Sequence, residues 1–191
     1  MTVRHTIPPS RQRVAETLSA VTERPHDPAQ QRRSLDVCRD YWIALDTRDA
    51  AALRRLMADD VLVEFPFSES GTVQEFRVFH GLEDVMSFWE GGAWKAEAEG
   101  SSLVDAEVAV SADGQIVFIE GFGDATMTDG QPYHNRYVIR MTVDGGLVTS
   151  FRMYYNPIIS ACLPASGRRV ARTGQALTTA PASTGTIVPV T

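Results

Sequence analysis

The sequence predicts an α+β domain in which a curved antiparallel sheet and three helices form a cone-shaped pocket. Three observations carry this. Apolar residues recur at helical spacing early in the chain, over 34–46 and again after Asp49. Long runs of alternating polarity follow after residue 100, separated by Asp113-Gly114, Asp129-Gly130 and Asp144-Gly145-Gly146, which is hairpin chemistry. The resulting order, α-α-β-β-α-β-β-β-β, gathers the helices on one side of a meandering sheet. Long strands twist, so the sheet must curl, and a curled sheet covered by helices leaves a cavity at its mouth.

The elements are read as follows. Leu35, Cys38, Tyr41, Trp42 and Leu45 place an amphipathic helix over 34–46. Asp49 caps a second helix, with Leu53, Leu56 and Met57 on one face, and Ala58-Asp59-Asp60 ends it. A strand is expected over 61–66, closed by Pro66, and a shorter one over 76–80. Gly81 starts a third helix over 82–89. Strands follow near 102–111, 115–127, 133–143 and 147–156. Residues 1–33 read as an arm, with room for a short helix over 10–22, and 164–191 as a tail without a sustained apolar period.

Charge is uneven. The 191 residues carry a formal net charge of −6. The middle of the chain is strongly acidic, and both ends are basic. An acidic body argues against nucleic acid and polyanionic substrates, which need a basic face. No apolar run is long enough for a membrane helix, and the N-terminus lacks the apolar segment of a secretory signal. Cys38 and Cys162 form no CxxC pair, which fits thiols in a reducing cytoplasm. His5, His26, His80 and His134 show no metal-ligand spacing, and no phosphate-cradling loop or nucleophile elbow is present, so neither metal nor cofactor is expected.

Alternation on the strand over 133–143 puts Tyr133, Asn135, Tyr137, Ile139 and Met141 on one face. That face is the more apolar and should line the pocket. Asn135 and Tyr137 then either bond to the helices or wait for a ligand. His80, at the end of a strand, titrates near neutrality and could carry a proton; it could equally be a surface or capping residue. Glu120 and Asp124 flank Gly121 and Gly123, and a bend there could turn either carboxylate into the pocket. The other reading is a salt bridge to Arg136, Arg140 or Arg152. Glu64 points away from Phe65 and reads as structural.

The run Tyr41-Trp42-Ile43-Ala44-Leu45-Asp46-Thr47-Arg48-Asp49, with Val63-Glu64-Phe65-Pro66 and the closing Phe151-Arg152-Met153-Tyr154-Tyr155-Asn156-Pro157, resembles the nuclear transport factor 2-like superfamily over roughly 34–163. The branch it is most similar to holds SnoaL-like polyketide cyclases and phenazine biosynthesis A/B proteins. The resemblance implies a cofactor-free cyclase, isomerase or dehydratase acting on a small organic intermediate of natural-product biosynthesis, usually as a homodimer paired through the outer sheet face. A non-catalytic binding or scaffold member of the same fold is the alternative. It further implies an oxyanion-donating role for Tyr41 and, by likeness to scytalone dehydratases, a base-orienting role for Asp46. Trp42, Phe65 and Met153 would supply apolar lining. The family's usual carboxylates are missing, because Phe65 and Met153 occupy those places, and Phe88 or its neighbours replaces a third-helix histidine. The proton must then move through Asp46, His80, Glu120 or Asp124.

Overall fold

A computed structural model describes residues 25–67, 77–97 and 102–161. The arm residues 1–24, with the helix expected over 10–22, and the tail from 162 onward lie outside the described residues.

The first helix, α1 (Pro28–Asp46), starts six residues earlier than its apolar period indicated. The cause is local. The Asp27 side chain accepts from the Gln30 N–H, and Pro28 occupies a first-turn position where its missing N–H costs nothing. The Asp27 N–H also donates to the Ala112 carbonyl, so the polar start of the helix is pinned to a distant hairpin. Gly114 in that hairpin has φ of +73°, and a Cβ there would lie 2.4 Å from the Gln31 nitrogen. The helix buries Ser34, Cys38, Tyr41, Ala44 and Leu45 along one stripe. After it, α2 (Ala50–Arg55) is capped by Asp49, whose side chain accepts from the Ala52 N–H.

The strand β1 (Met57–Phe65) also starts earlier than expected. Its register against the neighbouring strand shifts between Met57 and Leu62, so Ala58-Asp59-Asp60 is an irregular stretch of strand and not a helix end. Then come β2 (Arg77–His80), α3 (Leu82–Phe88), a π-helical turn (Trp89–Ala93) and the short α4 (Trp94–Ala96). Four strands follow: β3 (Ser102–Val110), β4 (Ile116–Thr126), β5 (Pro132–Asp144) and β6 (Leu147–Tyr155). A last turn of helix, α5, spans Pro157–Ala161.

The six strands make one curled sheet in the order β2-β1-β6-β5-β4-β3. It does not close, since β2 and β3 are its edges. One expectation changes: β1 lies parallel to β6, so the sheet is mixed, not wholly antiparallel. A parallel neighbour needs a long crossover, and the whole chain from β2 to β5 provides it.

The helices fill the concave side. Tyr41 stacks on Phe151 with ring centroids 5.7 Å apart. Around this pair Leu53, Val61, Val63, Val85, Met86, Val117, Ile139, Met141, Val143 and Val148 are all fully buried. Phe151→Ala removes the ring at the centre of this packing and is expected to cost about 3–5 kcal/mol of stability in urea unfolding. Asp49→Ala, which removes only a cap, is expected to cost about 1 kcal/mol.

Candidate active site

Inside the cone, β5 turns Tyr133, Asn135, Ile139 and Met141 to the buried side, with Tyr137 half-buried beside them. Asn135 is nevertheless not available to a ligand. Its Nδ2 donates to the Tyr133 hydroxyl and to the Asn156 carbonyl, both at 3.0 Å. Its Oδ1 accepts from the Arg136 N–H at 2.9 Å and the Asn156 N–H at 3.1 Å. Both protons and both lone pairs are used, so this side chain clamps the exit of β6 to β5. The substrate-binding role expected for it is corrected accordingly.

Tyr137 is the pivot of the polar wall. Its hydroxyl donates to the Tyr133 hydroxyl at 3.1 Å, and the Tyr133 hydroxyl meets Ser160 Oγ at 2.8 Å. The Tyr137 ring lies against the backbone of Gly123, where a Cβ would sit 2.6 Å from its Cε2. Gly121 makes room in the same way for Leu103. These glycines therefore mark close approach of side chains, not a bend. The pairing of β4 with β5 runs without interruption from Ile116 to Thr126. As a result Glu120 and Asp124 stand on the outer face, exposed to water. Asp124 lies 3.5 Å from His134 there, and none of the expected arginine bridges forms. Neither carboxylate points into the cone as expected; Asp124 stays in water, and Glu120 borders the groove described below.

A half-buried carboxylate that sequence reasoning missed belongs to Glu97. Glu97 follows α4 and pairs in an isolated bridge with Met127, beside the buried cluster of Ala125, Met127 and Tyr133. Its charge acts on Tyr137, whose ionisation is pushed up chiefly by burial. Arg48 Nη2 donates to the Glu97 carbonyl at 2.8 Å. Burial raises the Glu97 carboxyl above the ordinary range, and the Arg48 charge offsets part of that. The polar run around Glu97 carries no apolar period, so no sequence signal marked it.

Deeper in, Tyr41 is completely buried, and burial pushes its phenol up. Its hydroxyl lies near Trp89, which eases that shift without completing a hydrogen bond. The Tyr41 hydroxyl and the indole nitrogens of Trp42 and Trp89 are buried polar atoms with no hydrogen-bond partner. Trp89 belongs to the π-helical turn, a distortion often found at functional sites, and it too was missed. Its neighbours Gly91 and Gly92 were the available hint. Phe65 is buried among Phe79, Phe88 and Tyr155. Met153 is half-buried and packs against the same core.

The remaining candidates lie at the rim. Asp46 ends α1 in an exposed position and accepts from Ser102 Oγ at 3.0 Å. Partial burial raises its carboxyl, and Ser102 counteracts this. His80 is exposed at the end of β2. Cys38 is an inert buried thiol, pushed up to about 12 by burial. A groove of about 450 Å³ opens where β6 ends, lined by Phe67, Tyr137, Val138, Tyr154, Tyr155 and Pro157 with Glu120, Arg136 and Asn156. It touches Tyr137 and Tyr155 of the inner face and Glu120 and Val138 of the outer one. The concavity thus sits astride the end of the sheet.

This combination of curled sheet, covering helices and aromatic interior has known counterparts. The SnoaL-like domain profile matches residues 25–151, and the chain belongs to that family. Its nuclear transport factor 2-like fold is shared with solved structures. A nuclear transport factor 2-like protein from Burkholderia xenovorans is 19% identical, with 69% of this chain and 95% of that one covered at a TM-score of 0.56. A phenazine biosynthesis-related protein from Pseudomonas aeruginosa is 16% identical, over 75% of this chain and 96% of that one, TM-score 0.56. A Mycobacterium tuberculosis protein in complex with estradiol-17beta-hemisuccinate is 20% identical, over 65% and 94%, TM-score 0.55. At such identities the likeness is one of fold. No curated protein sequence matches the chain. Among the described residues, no helix is long and apolar enough to cross a membrane.

Two outcomes test this geometry. Gly123→Ala drives a methyl into the Tyr137 ring and is expected to cost about 1–3 kcal/mol, while shifting the Tyr137 ring signals in NMR. Glu97→Gln tests the buried carboxyl. A carboxyl whose folded value is raised favours folding while protonated, and that contribution is lost as pH rises through the folded value. Glu97→Gln is therefore expected to stabilise the chain at mildly alkaline pH and to leave it unchanged well below the carboxylate range, read from urea melts at the two pH values.

Proposed function

We propose that this chain binds a small, largely apolar organic molecule and acts on it by acid–base chemistry, without a cofactor, as an isomerase, cyclase or dehydratase. The observation that carries the reading is the unpartnered Tyr41 hydroxyl, fully buried in an aromatic interior. A buried donor left unpaired costs about 1–3 kcal/mol, and a ligand oxygen delivered to it recovers that loss. A preorganised donor in an apolar site is also the arrangement that stabilises a developing oxyanion. Trp42 and Trp89 add two more donors of the same kind.

Family membership and the phenazine biosynthesis-related neighbour support a place in natural-product biosynthesis. The acidic body supports a small, mainly apolar substrate that is not a polyanion, and no nucleic acid; the reading takes the protein to be cytoplasmic. The outer sheet face exposes Phe118, Phe122 and Val138, which supports pairing with a second copy. A non-catalytic binding role is the second reading, favoured by the apolar Phe65 and Met153 at the places where family members carry acids.

Binding is measured by tryptophan fluorescence on titration with estradiol-17β-hemisuccinate, the ligand of the mycobacterial neighbour. The expected result is saturable quenching, weakened about tenfold by Tyr41→Phe, the worth of one hydrogen bond. Quenching that Tyr41→Phe and Trp89→Phe both leave unchanged would show that these donors do not meet the ligand.

A further inference from the structure

We propose that the π-helical turn Trp89–Ala93 is the door through which a small apolar ligand reaches the buried Tyr41 and Trp89 donors, latched shut by Arg54 on α2. The inference rests on the ligand-binding reading above and adds the route which that reading requires.

Burial creates the need for a door. Tyr41 is completely buried, so no ligand oxygen meets its hydroxyl unless a covering piece moves. The strands β1 and β6 are each paired on both sides, and α1 buries five residues along its stripe. The π-helical turn is different, because it buries none of its residues. A Cβ at Gly91 or Gly92 would meet nothing within 4 Å. Segments with few buried contacts open locally at low cost, and adjacent glycines give the backbone freedom to do so.

Trp89 ties this turn to the site. Its indole lies beside the Tyr41 hydroxyl, and its ring packs on Phe88 with centroids 4.9 Å apart. Its Nε1 is buried without a partner. Swinging Trp89 outward uncovers Tyr41 and lets the indole N–H meet water, which offsets part of the cost of opening. A ligand oxygen restores the closed form by supplying the missing acceptor.

Both ends of the moving piece are held. Val85 and Met86 on α3 are fully buried before it. After it, the Thr128 N–H donates to the Ala96 carbonyl at 3.0 Å, and Glu97 bridges to Met127. A free middle between two anchors is the pattern of a hinged lid. Arg54, in the last turn of α2, closes it. Its guanidinium pairs with Glu83 on α3, and its Nη2 lies 3.8 Å from Glu90 Oε1 in the turn. Such an exposed pair is weak and salt-sensitive, which suits a latch that must open. The other entrance is the groove where β6 ends. From there a ligand must pass Tyr137, Tyr155 and Phe65, all on paired strands.

The test is stopped-flow tryptophan fluorescence of the full chain with estradiol-17β-hemisuccinate. The three tryptophans, Trp42, Trp89 and Trp94, all pack on the core beside this turn and report its movement. Gly91→Ala with Gly92→Ala stiffens the closed turn and is expected to slow association and release alike, about tenfold, with Kd unchanged. Glu90→Gln loosens the latch and is expected to speed both about twofold. Wild-type rates in the double alanine variant overturn the door and leave the ligand-binding reading in place. So does a changed Kd with an unchanged association rate, because the turn then touches the ligand without admitting it. Slower association in Val138→Phe, which narrows the groove, overturns the door in favour of that entrance. An unchanged rate in Glu90→Gln overturns the latch alone. Wild-type protein without saturable quenching overturns the ligand-binding reading and the door with it.

Discussion

The stack of Tyr41 on Phe151 is the contact on which the interior depends. It joins the C-terminal half of α1 to the centre of β6, and so presses the helix layer onto the concave sheet. Trp42 leans on the same phenylalanine at 6.5 Å, and Met153 lies two residues along the same strand. Because the stack consumes the face of the Tyr41 ring, the hydroxyl at its tip is carried into apolar surroundings with no acceptor. One packing contact thereby joins two fully buried rings and leaves an unpaired donor beside them.

Polar groups in this cone fall into two kinds. Asn135 is saturated: four hydrogen bonds hold two strand ends together and leave nothing to offer. Tyr41, Trp42 and Trp89 are the reverse, donors placed by rings that pack well but whose polar atoms do not. Glu97 is intermediate, half desolvated with one cation nearby. A protein that needed only stability would replace the second kind with apolar residues, since an unmade hydrogen bond is more costly than an absent one. Their presence marks the part of the molecule where folding and ligand chemistry pull apart.

Much of this architecture was legible from periodicity. The helical stripe through Cys38, Tyr41 and Leu45, and the two-residue alternation of β4 to β6, follow from which residues must leave water. The Asp-Gly turns placed the hairpins. What stayed hidden was whatever depends on partners far away in the chain. Asp27 became a cap because Ala112 anchors its backbone, which no local pattern reveals. Gly121 and Gly123 could mean a bend or a close approach, and only the Leu103 and Tyr137 rotamers decide. Glu97 had no period to betray it, and β1 beside β6 in parallel is a property of topology alone. Family likeness supplied Tyr41, yet it also directed attention to positions that Phe65 and Met153 have vacated as acids.

That parallel pair has a kinetic meaning. Glu64 and Arg152, which face each other across it, are 88 residues apart in the chain. Neither partner of the pair is local, so the loop between them must be ordered, at an entropic cost, before the contact rewards it. During synthesis β1 leaves the ribosome long before β6 and waits with its central edge bare. The sheet can complete only when nearly the whole domain has emerged, so this fold assembles late and as a unit. A chain cut anywhere before β6 leaves the apolar Val61 and Val63 beside an open strand edge, the surface most prone to pair with the wrong neighbour.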